Sequence, residues 1–411
     1  MPFILERVIL CSLENFLIKG LTYLDMTHLP PITYTRNHPF LASIKERTTL
    51  CSAGSKKNTQ HVVLDLKGSG ITYQVGDSIG IFPVNDPQLV EKTLQVLKAS
   101  GNEIVLDRHA ENSWKLREFF TSCANLTEVS RKLLSEICYR QSDPHKKAFI
   151  EGLFAEDNRD ALKHYLEDRH LWDMLVDHSE VVFDPQELCN LLMPLLPRLY
   201  SIASSQKVVG EEVHLTVALL EYHSNGHYRR GVCTHYLCEL APIQRPIVPV
   251  YIQQNHGFTV PSDPDTSIIM IGPGTGIAPF RAFMHERVLQ NGSGRNWLFF
   301  GEWNRKTEFF YEPYWNELIE QDKLRMDVAF SRDQDHKIYV QHRMLENGAE
   351  LYKWIEAGAC LYVCGDAQHM AKDVEAALLQ IIGVHGNHDE LAAKQYLKRL
   401  RAEKRYLRDV Y

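Results

Sequence analysis

Four short apolar runs in the C-terminal part of the chain restrict its fold more than any other feature of the sequence. The runs are SIIMI at 267–271, WLFFG at 297–301, RMDVAFS at 325–331 and CLYVCGD at 360–366. SIIMI, WLFFG and CLYVCGD do not alternate polar and apolar residues as a strand with one solvated face does, and RMDVAFS contains the apolar run VAF. Helical patterns lie between several of the runs. Such runs are typical of a parallel sheet that helices cover on both faces. We therefore predict a Rossmann-like α/β domain over residues 261–411.

The preceding segment has the pattern of an antiparallel domain with an insertion. Strand-like runs separated by turns extend from Phe40 to Pro83, and helical patterns then continue to about Met193. Strand-like runs return as RLYSIASS, EVHLTVALLEY and RPIVPVYIQQ. The simplest architecture is a β-barrel over residues 40–260 that is interrupted by a helical connecting insertion at about 88–193.

Charge and cysteine content exclude several classes of protein. The 411 residues carry a net charge of -7, so the surface as a whole does not favour nucleic acid. The 9 cysteines are odd in number and irregularly spaced, unlike a secreted disulfide framework. We therefore expect a cytoplasmic protein, because a reducing compartment tolerates such cysteines.

Residues 1–39 are expected to form a short N-terminal extension. Its uncharged apolar run, Val8–Leu13, is far shorter than the ~20 residues that cross a bilayer. It is also shorter than the apolar core of about 7–15 residues in a secretory signal. We expect no membrane span here, but a short docking helix or the remnant of an upstream segment.

A glycine-rich turn follows the first apolar run. Gly272, Gly274 and Gly276 in IGPGTGIAPF would allow a ligand to approach the backbone, and the next helix would offer its N-terminus to a pyrophosphate. The spacing differs from the usual G-x-G-x-x-G. A loop without a ligand explains this segment equally well, and Pro279 at the start of a helix fits both interpretations.

The segment AFSRDQDHKIYVQH follows another apolar run. Ser331, Arg332, Lys337 and Tyr339 supply a hydroxyl, two cations and an aromatic ring, which suit the 2'-phosphate and adenine of NADPH. A solvated charged loop is the alternative. The acidic neighbours Asp333, Asp335 and Glu346 would partly offset the positive potential.

The run CLYVCGD contains two cysteines that resemble a metal-binding pair. On an extended strand, Cys360 and Cys364 would lie roughly 13 Å apart, which excludes a disulfide or a shared zinc ion. We therefore expect no metal. Cys364 falls at the carboxyl end of the strand, where α/β sheets bind ligands, although a buried structural cysteine is the alternative.

Two segments of the barrel suggest a flavin site. In PRLYSIASSQ, Arg198 suits a phosphate, Tyr200 a stacked ring and Ser201 a ring nitrogen. Further on, YRRGVCTHYL places Gly231 before a helix that Thr234 is expected to open, and this would be a second phosphate site. An ordinary capped helix is the alternative.

The order and spacing of these motifs carry more information than any one of them. The series RLYSIASS, GVCTHYL, MIGPGTGIAPFRAFM, AFSRDQ, KIYVQ, YVCGDAQHMAKDVE and RDVY resembles the ferredoxin-NADP reductase module of diflavin reductases. Within these, it is similar to the flavoprotein (alpha) subunit of bacterial NADPH-sulfite reductase. The resemblance covers nearly all of residues 40–411, including the helical insertion, and it implies FAD and NADPH as cofactors.

The resemblance assigns three groups of residues to the cofactors. The FAD group comprises Arg198, Leu199, Tyr200, Ser201, Thr216, Val217, Ala218, Tyr222, Gly231, Val232, Cys233 and Thr234. Gly274 and Thr275 would lie under the NADPH pyrophosphate. The adenosine end of NADPH would contact Ser331, Arg332, Lys337, Ile338, Tyr339, Val340, Gln341 and Asp373. Cys233 departs from the small residue usual in the phosphate loop, and the change should be tolerated.

The resemblance also implies a catalytic trio, Ser201, Cys364 and Asp409. Ser201 would donate a hydrogen bond near flavin N5, Cys364 would lie beside the reacting nicotinamide carbon, and Asp409 would orient them. Tyr411 would cover the flavin ring and swing away when nicotinamide binds. Residues 1–39 are too few for the flavodoxin-like FMN domain of the family, so FMN is not expected in this chain.

The expected function is an NADPH-dependent FAD oxidoreductase of the assimilatory sulfite-reductase type. Its electrons would pass to a separate acceptor, either a flavodoxin-like FMN protein, a sirohaem/iron–sulfur subunit or a small molecule. A stand-alone flavodoxin- or ferredoxin-type reductase is an alternative within the same class. A non-catalytic flavin-binding assembly subunit is the alternative from another class, but it would have no reason to keep Cys364 and Asp409.

Overall fold

The computed structural model describes residues 34–107, 110–255 and 257–411. Most of the expected extension at 1–39, with the apolar run Val8–Leu13 and the docking helix considered for it, lies outside the described residues. Among the helices that are described, none combines the length and hydropathy needed to cross a membrane.

The first half of the fold is built on an antiparallel sheet of six strands. With strands numbered in chain order, these are β1 (Phe40–Thr49), β2 (Thr59–Asp65), β3 (Ser78–Ile81), β6 (Arg198–Ser201), β7 (Glu212–Ala218) and β10 (Pro246–Gln253). Their order across the sheet is β6-β3-β10-β1-β2-β7, and every pairing is antiparallel. The antiparallel architecture predicted for this region is therefore confirmed.

The sheet curls because its two edge strands meet. Just beyond β6, the Ala203 N–H donates to the carbonyl of His214 in β7 at 2.8 Å. The enclosed core contains Ile44, Val62 and Val250, all fully buried. This closure satisfies backbone groups that an open edge would leave unpaired, and it fixes β6 at the side of the barrel that carries the site.

A helical insertion separates β3 from β6. Its helices are Pro87–Leu97, Leu116–Ser122, Arg131–Arg140, Pro144–Leu153, Arg159–Glu167, Leu171–Asp177 and Pro185–Leu191, with a two-stranded sheet of β4 (Ile104–Leu106) and β5 (Ser113–Lys115). Asp86 and Asp184 cap two of these helices through their carboxylates, each followed by a proline in the first turn. That pattern is visible in the sequence. The insertion has its own apolar core around Phe120 and Leu134.

Shorter elements complete the barrel. They are the helices Gln206–Val209 and Val232–His235, a π-helical turn at Tyr236–Leu240, and a hairpin of β8 (Glu221–Ser224) and β9 (His227–Arg230). The helix Val232–His235 follows directly on this hairpin, so the hairpin positions the start of that helix beside the sheet.

The second half of the fold is a parallel sheet of five strands. These are β11 (Ile268–Ile271), β12 (Asn296–Glu302), β13 (Arg325–Phe330), β14 (Cys360–Gly365) and β15 (Tyr406–Val410), in the order β13-β12-β11-β14-β15. The four apolar runs form the first four of them, as predicted. The fifth strand, which ends in the RDV of the RDVY motif, was not predicted as a strand.

Helices cover both faces of this sheet. They are Ala278–Gln290, Arg305–Glu308, Glu312–Glu320, Val340–Glu346, Gly348–Glu356, Met370–Gly386 and Glu390–Ala402, preceded by a 3-10 turn at Gly274–Ile277. Alternate residues of one strand enter different cores: Ile269 and Ile271 pack on one face, Ile268 and Met270 on the other. Burial on both faces explains why the central strands β11 and β14 are almost entirely apolar.

Candidate active site

A cleft of about 710 Å³ lies where the barrel meets the parallel sheet. Strand β6, the turn before the helix Val232–His235 and the glycine-rich turn after β11 all border it. The predicted site residues that line it are Arg198, Leu199, Tyr200, Ser201, Thr216, Ala218, Tyr222, Gly231, Val232, Cys233, Thr234, Thr275 and Tyr411. The fold therefore brings the two predicted cofactor regions to one cavity.

The predicted catalytic trio meets beside this cleft. Ser201 Oγ donates a hydrogen bond to Asp409 Oδ2 at 2.8 Å, and Cys364 Sγ lies 3.9 Å from the same oxygen. Cys364 and Asp409 are direct neighbours in the parallel register of β14 and β15. Ser201 comes from the barrel, at the end of β6. One carboxylate oxygen thus joins the two halves of the fold.

Burial sets the protonation of this cluster. It raises the pKa of the Cys364 thiol well above its ordinary value, and the nearby Asp409 carboxylate adds to the rise. Cys364 is therefore a neutral thiol around pH 7. Burial also raises the pKa of Asp409, although the hydrogen bonds from Ser201 and Cys364 oppose this. Asp409 thus lies between the Ser201 hydroxyl and the neutral Cys364 thiol.

Tyr411 lies at the mouth of the cleft, between the barrel and the glycine-rich turn. Its backbone N–H donates to the Gly365 carbonyl at 3.1 Å, and its hydroxyl lies 3.0 Å from Thr275 Oγ1. The side chain is 64% exposed. A ring held mainly by one hydrogen bond at its tip can leave the cleft without disturbing the sheet.

The three glycines of the turn after β11 have different roles. A Cβ on Gly276 would lie 2.2 Å from the Cys364 carbonyl oxygen, and one on Gly272 would lie 2.4 Å from the Gly276 carbonyl oxygen. These two glycines are required by packing within the protein. Gly274 has a φ of +59° and borders a second opening, of about 400 Å³, together with Thr275 and Tyr411. Gly274 is therefore the glycine that leaves room for a ligand.

The expected role of Thr234 at the start of its helix is wrong. The helix begins at Val232 with Gly231 as its N-cap. Thr234 is the third helical residue, where its hydroxyl accepts from the Leu220 N–H at 3.1 Å and donates to the Gly231 carbonyl. Thr234 therefore ties the turn to the end of the neighbouring strand, while the first-turn N–H groups of the helix border the cleft.

The remaining predicted FAD residues occupy different environments. Val217 and Cys233 are buried in the barrel core, so only their backbone could contact a cofactor. Leu199 is 54% exposed and presents an apolar surface to the cleft. Thr216 is buried, with its hydroxyl 2.7 Å from that of Tyr311 in the parallel-sheet domain.

His170 is a site neighbour that the sequence did not indicate. Its Nε2 lies 3.0 Å from the hydroxyl of Tyr222, which lines the cleft, and its buried Nδ1 has no hydrogen-bond partner in the described part of the chain. The sequence around His170 contains no motif that would mark this histidine as part of a site. Only the three-dimensional contact with Tyr222 reveals its position at the site.

The predicted adenosine region forms a loop at the carboxyl end of β13. Ser331 is buried and bonded through its N–H to the Glu302 carbonyl, whereas Arg332, Lys337 and Tyr339 are exposed. Asp333 accepts hydrogen bonds from the Asn304 side chain and the Arg305 N–H, so both of its carboxylate oxygens already have partners within the protein.

The other predicted adenosine residues divide into two pairs. Gln341 donates to Asp373 at 3.2 Å, so these two lie together. Ile338 and Val340 pack their side chains on the core of the domain, so any ligand contact of these two would involve the backbone. Their assignment to the nucleotide stays a prediction.

Comparisons with known proteins agree with the two halves of the fold. Residues 32–236 match the family described as FAD binding domain, and residues 270–376 match the family described as oxidoreductase NAD-binding domain. Together with the fold, these matches show that the chain combines an FAD-binding domain with an oxidoreductase NAD-binding domain.

More particularly, the chain is a homologue of sulfite reductase [NADPH] flavoprotein alpha-components. It is 42% identical over 380 residues to that of Bacillus subtilis (strain 168) and 40% identical over 385 residues to that of Escherichia coli O157:H7. It is 41% identical over 379 residues to that of Baumannia cicadellinicola. Each match covers 92% of this chain and 62% of the relative, so the chain spans less than two thirds of the length of these relatives.

Proposed function

We propose that this protein takes a hydride from NADPH onto bound FAD and delivers the electrons to a separate redox protein. In this proposal it acts as the flavoprotein part of a sulfite-reducing system. The observation that carries the proposal is the Ser201–Asp409–Cys364 cluster, in which side chains from both domains meet at one carboxylate oxygen beside the cleft.

The chain's residues fit FAD. The cleft is large, and Leu199 and Tyr411 give it apolar walls for a flat ring. Gly231 is required by packing, because a Cβ there would meet Thr234 and Leu220 at 2.8 and 2.9 Å, and it caps the helix whose first-turn N–H groups border the cleft and suit a pyrophosphate. Arg198 has an exposed guanidinium for phosphate, which lies 3.6 Å from Glu128 and donates a hydrogen bond to the Leu196 carbonyl at 3.1 Å. When bound, FAD supplies a ring that accepts the hydride.

The second opening fits the dinucleotide that supplies the hydride. Gly274, Thr275, Gly365 and Tyr411 line it, at the carboxyl ends of β11 and β14. This edge is where open parallel sheets bind nucleotides. Tyr411 stands between the two openings, so we propose that its ring moves aside to let the nicotinamide reach the flavin.

The trio residues position and stabilise rather than donate protons to solvent. Asp409 holds the Ser201 hydroxyl and the Cys364 thiol in fixed orientations, and its charge stabilises a nicotinamide that becomes positive as the hydride leaves. Cys364 stays neutral because its pKa is raised, so it does not attack the nicotinamide as a thiolate.

The loop after β13 supports NADPH over NADH. Arg332 and Lys337 are exposed cations near the end of the sheet, and the neighbouring Asp333 is engaged by other groups. A ribose 2'-phosphate would meet two exposed cations there.

The acceptor and the compartment also belong to the proposal. The relatives are named as alpha-components of sulfite reductase, which supports a partner protein that completes sulfite reduction, such as a sirohaem/iron–sulfur subunit. A reducing cytoplasm is supported by the eight described cysteines, all of which are free thiols.

Anaerobic mixing of the purified, FAD-loaded protein with NADPH or NADH tests the proposal. We expect NADPH to bleach the visible absorbance of the flavin, and NADH at the same concentration to do so much more slowly. Flavin that stays oxidised in excess NADPH would contradict hydride transfer. Adding either a sirohaem subunit or a flavodoxin to the reduced protein then shows which acceptor reoxidises it.

A further inference from the structure

The indole of Trp303 lies against two cations that come from different domains. The guanidinium carbon of Arg332 is 3.3 Å from the ring centroid, and Lys57 Nζ is 4.3 Å from it. Trp303 follows the end of β12, Arg332 follows the end of β13, and Lys57 lies between β1 and β2 of the barrel. Neither Trp303 nor Lys57 was among the residues that the sequence motifs indicated.

The Lys57 side of this arrangement is fixed and neutralised. Lys57 Nζ lies 2.7 Å from both carboxylate oxygens of Glu302, whose side chain is almost fully buried. The backbone N–H of Trp303 donates to Glu302 Oε2 at 2.7 Å. Because Lys57 is paired, its charge is not available to a nucleotide, and the pair instead anchors the indole.

The Arg332 side is exposed and uncompensated. Within the described ranges, no salt bridge of Arg332 is found, and its closest charged neighbour in sequence, Asp333, accepts hydrogen bonds from Asn304 and Arg305. The guanidinium therefore lies on the indole with its N–H groups available. An arginine that is stacked on a ring and has its N–H groups available can donate hydrogen bonds to a phosphate.

Backbone pairing keeps the ring and the guanidinium in register. The Arg332 N–H donates to the Trp303 carbonyl at 2.8 Å, and the Ser331 N–H donates to the Glu302 carbonyl at 2.8 Å. These bonds continue the β12–β13 pairing beyond the strands themselves. These backbone bonds to the sheet therefore place Arg332 beside Trp303, the ring on which it stacks.

We infer that Trp303 is a positioning residue that holds the Arg332 guanidinium for the 2'-phosphate, and so sets the preference for phosphorylated over unphosphorylated dinucleotides. A free arginine side chain must lose several rotamers when it binds, and a ring that already orders it lowers that cost. The stacking itself adds a favourable cation–π interaction. The inference rests on the proposed function, since it concerns how NADPH is chosen.

Titration of the 411-residue chain with 2',5'-ADP and with 5'-ADP tests this role without any need for turnover. For Trp303→Leu we expect about tenfold weaker binding of 2',5'-ADP and unchanged binding of 5'-ADP. In steady-state assays the KM for NADPH should rise by a similar factor while kcat stays the same. Trp303→Phe keeps an aromatic face and should restore most of the affinity.

A double-mutant cycle separates positioning from general damage. If Trp303 acts through Arg332, Trp303→Leu should cause no further loss in an Arg332→Leu background. The matched control is Trp172→Leu, which removes another half-buried indole beneath a lysine, Lys92, and should leave the preference for 2',5'-ADP unchanged.

Two results would overturn the inference. One is a Trp303→Leu protein that keeps the wild-type preference for 2',5'-ADP over 5'-ADP, whether both affinities are unchanged or fall equally, and the other is full additivity with Arg332→Leu. Wild-type protein that binds 5'-ADP as tightly as 2',5'-ADP would instead contradict the proposed NADPH specificity. Wild-type selectivity that Trp303→Leu leaves intact would contradict only the role of Trp303.

Discussion

At the scale of single residues, Asp409 is the group on which the proposed chemistry depends. It accepts the Ser201 hydroxyl at 2.8 Å from one domain and faces the Cys364 thiol of the other. Asp409 is half-buried, and burial strengthens its electrostatic effect on a charge that develops nearby.

Asp409→Asn should slow flavin reduction by about tenfold to a hundredfold, because the amide keeps the shape of the side chain but removes its negative charge. FAD content should be unchanged, since Asp409 is not among the residues proposed to hold FAD. Anaerobic stopped-flow mixing with NADPH measures the reduction step directly. A variant that reduces its flavin at the wild-type rate would remove Asp409 from the mechanism.

Residue roles were predictable from the sequence only where a motif carries them. The resemblance named Ser201, Cys364 and Asp409 together, although they are distant in the chain, and the structure brings them into contact. Trp303 and His170 were missed because their roles depend on Arg332 and Tyr222, residues that reach them only through folding.

At the scale of elements, three histidines and an arginine share a buried space between the barrel and the helix Ala278–Gln290. The rings of His61 and His214 are 4.8 Å apart, and Arg281 donates to the Ala203 carbonyl at 2.7 Å beside them. His285 lies on the same helix as Arg281. Burial and the nearby guanidinium lower the pKa of His61 and of His285 to about 3.

The lowered pKa values of His61 and His285 predict that the folded protein loses stability in acid. The unfolded chain takes up protons at His61 and His285 near pH 6.5, whereas the folded chain does so only near pH 3. The free energy of unfolding should therefore fall as the pH drops below about 6.5, by up to about 1.4 kcal/mol per pH unit for each histidine. Urea unfolding at pH 7 and pH 5 measures the effect.

A pair of variants isolates the contribution of these histidines. The double variant His61→Gln/His285→Gln should reduce the pH dependence, whereas His145→Gln, which alters an exposed histidine in the helical insertion, should not. A free energy of unfolding that is unchanged or higher at pH 5 than at pH 7 would be inconsistent with neutral buried histidines.

Strands of the parallel sheet were predictable from the sequence only where burial made them apolar. The four apolar runs identified β11 to β14, because strands buried on both faces, such as β11 and β14, leave a signal in composition alone. Strand β15 left no such signal: Tyr406 is buried, but Arg408 is exposed and Asp409 is turned to the site. Its pairing with β14 fixes it as a strand, and pairing is a tertiary property that local pattern does not show.

At the scale of the whole molecule, the relative placement of the two domains decides whether the site exists at all. Ser201 reaches Asp409 only when the barrel and the parallel sheet are docked. One buried contact that holds them is Glu286, which accepts from Ser205 Oγ at 2.7 Å and pairs with Lys207. Both partners belong to the barrel segment that follows β6.

Glu286→Ala should weaken this docking. We expect the free energy of unfolding to fall by about 1–3 kcal/mol, because Ser205 is left buried without its acceptor. Flavin reduction should slow as well, since the trio would lose its alignment. Glu390→Ala is the matched control, because it breaks an exposed ion pair with Lys394 on an outer helix and should change little. Equal effects of the two substitutions on stability would refute the docking role.

The central claim is that a hydride passes directly from NADPH to FAD across this interdomain site. Transient kinetics with NADPH deuterated at the transferred position test it most directly, in the anaerobic wild-type protein. We predict that flavin reduction is complete and that the deuterated substrate reduces the flavin more slowly than the ordinary one. Reduction at the same rate with both would show that hydride transfer does not limit this step, and no reduction at all would contradict the account.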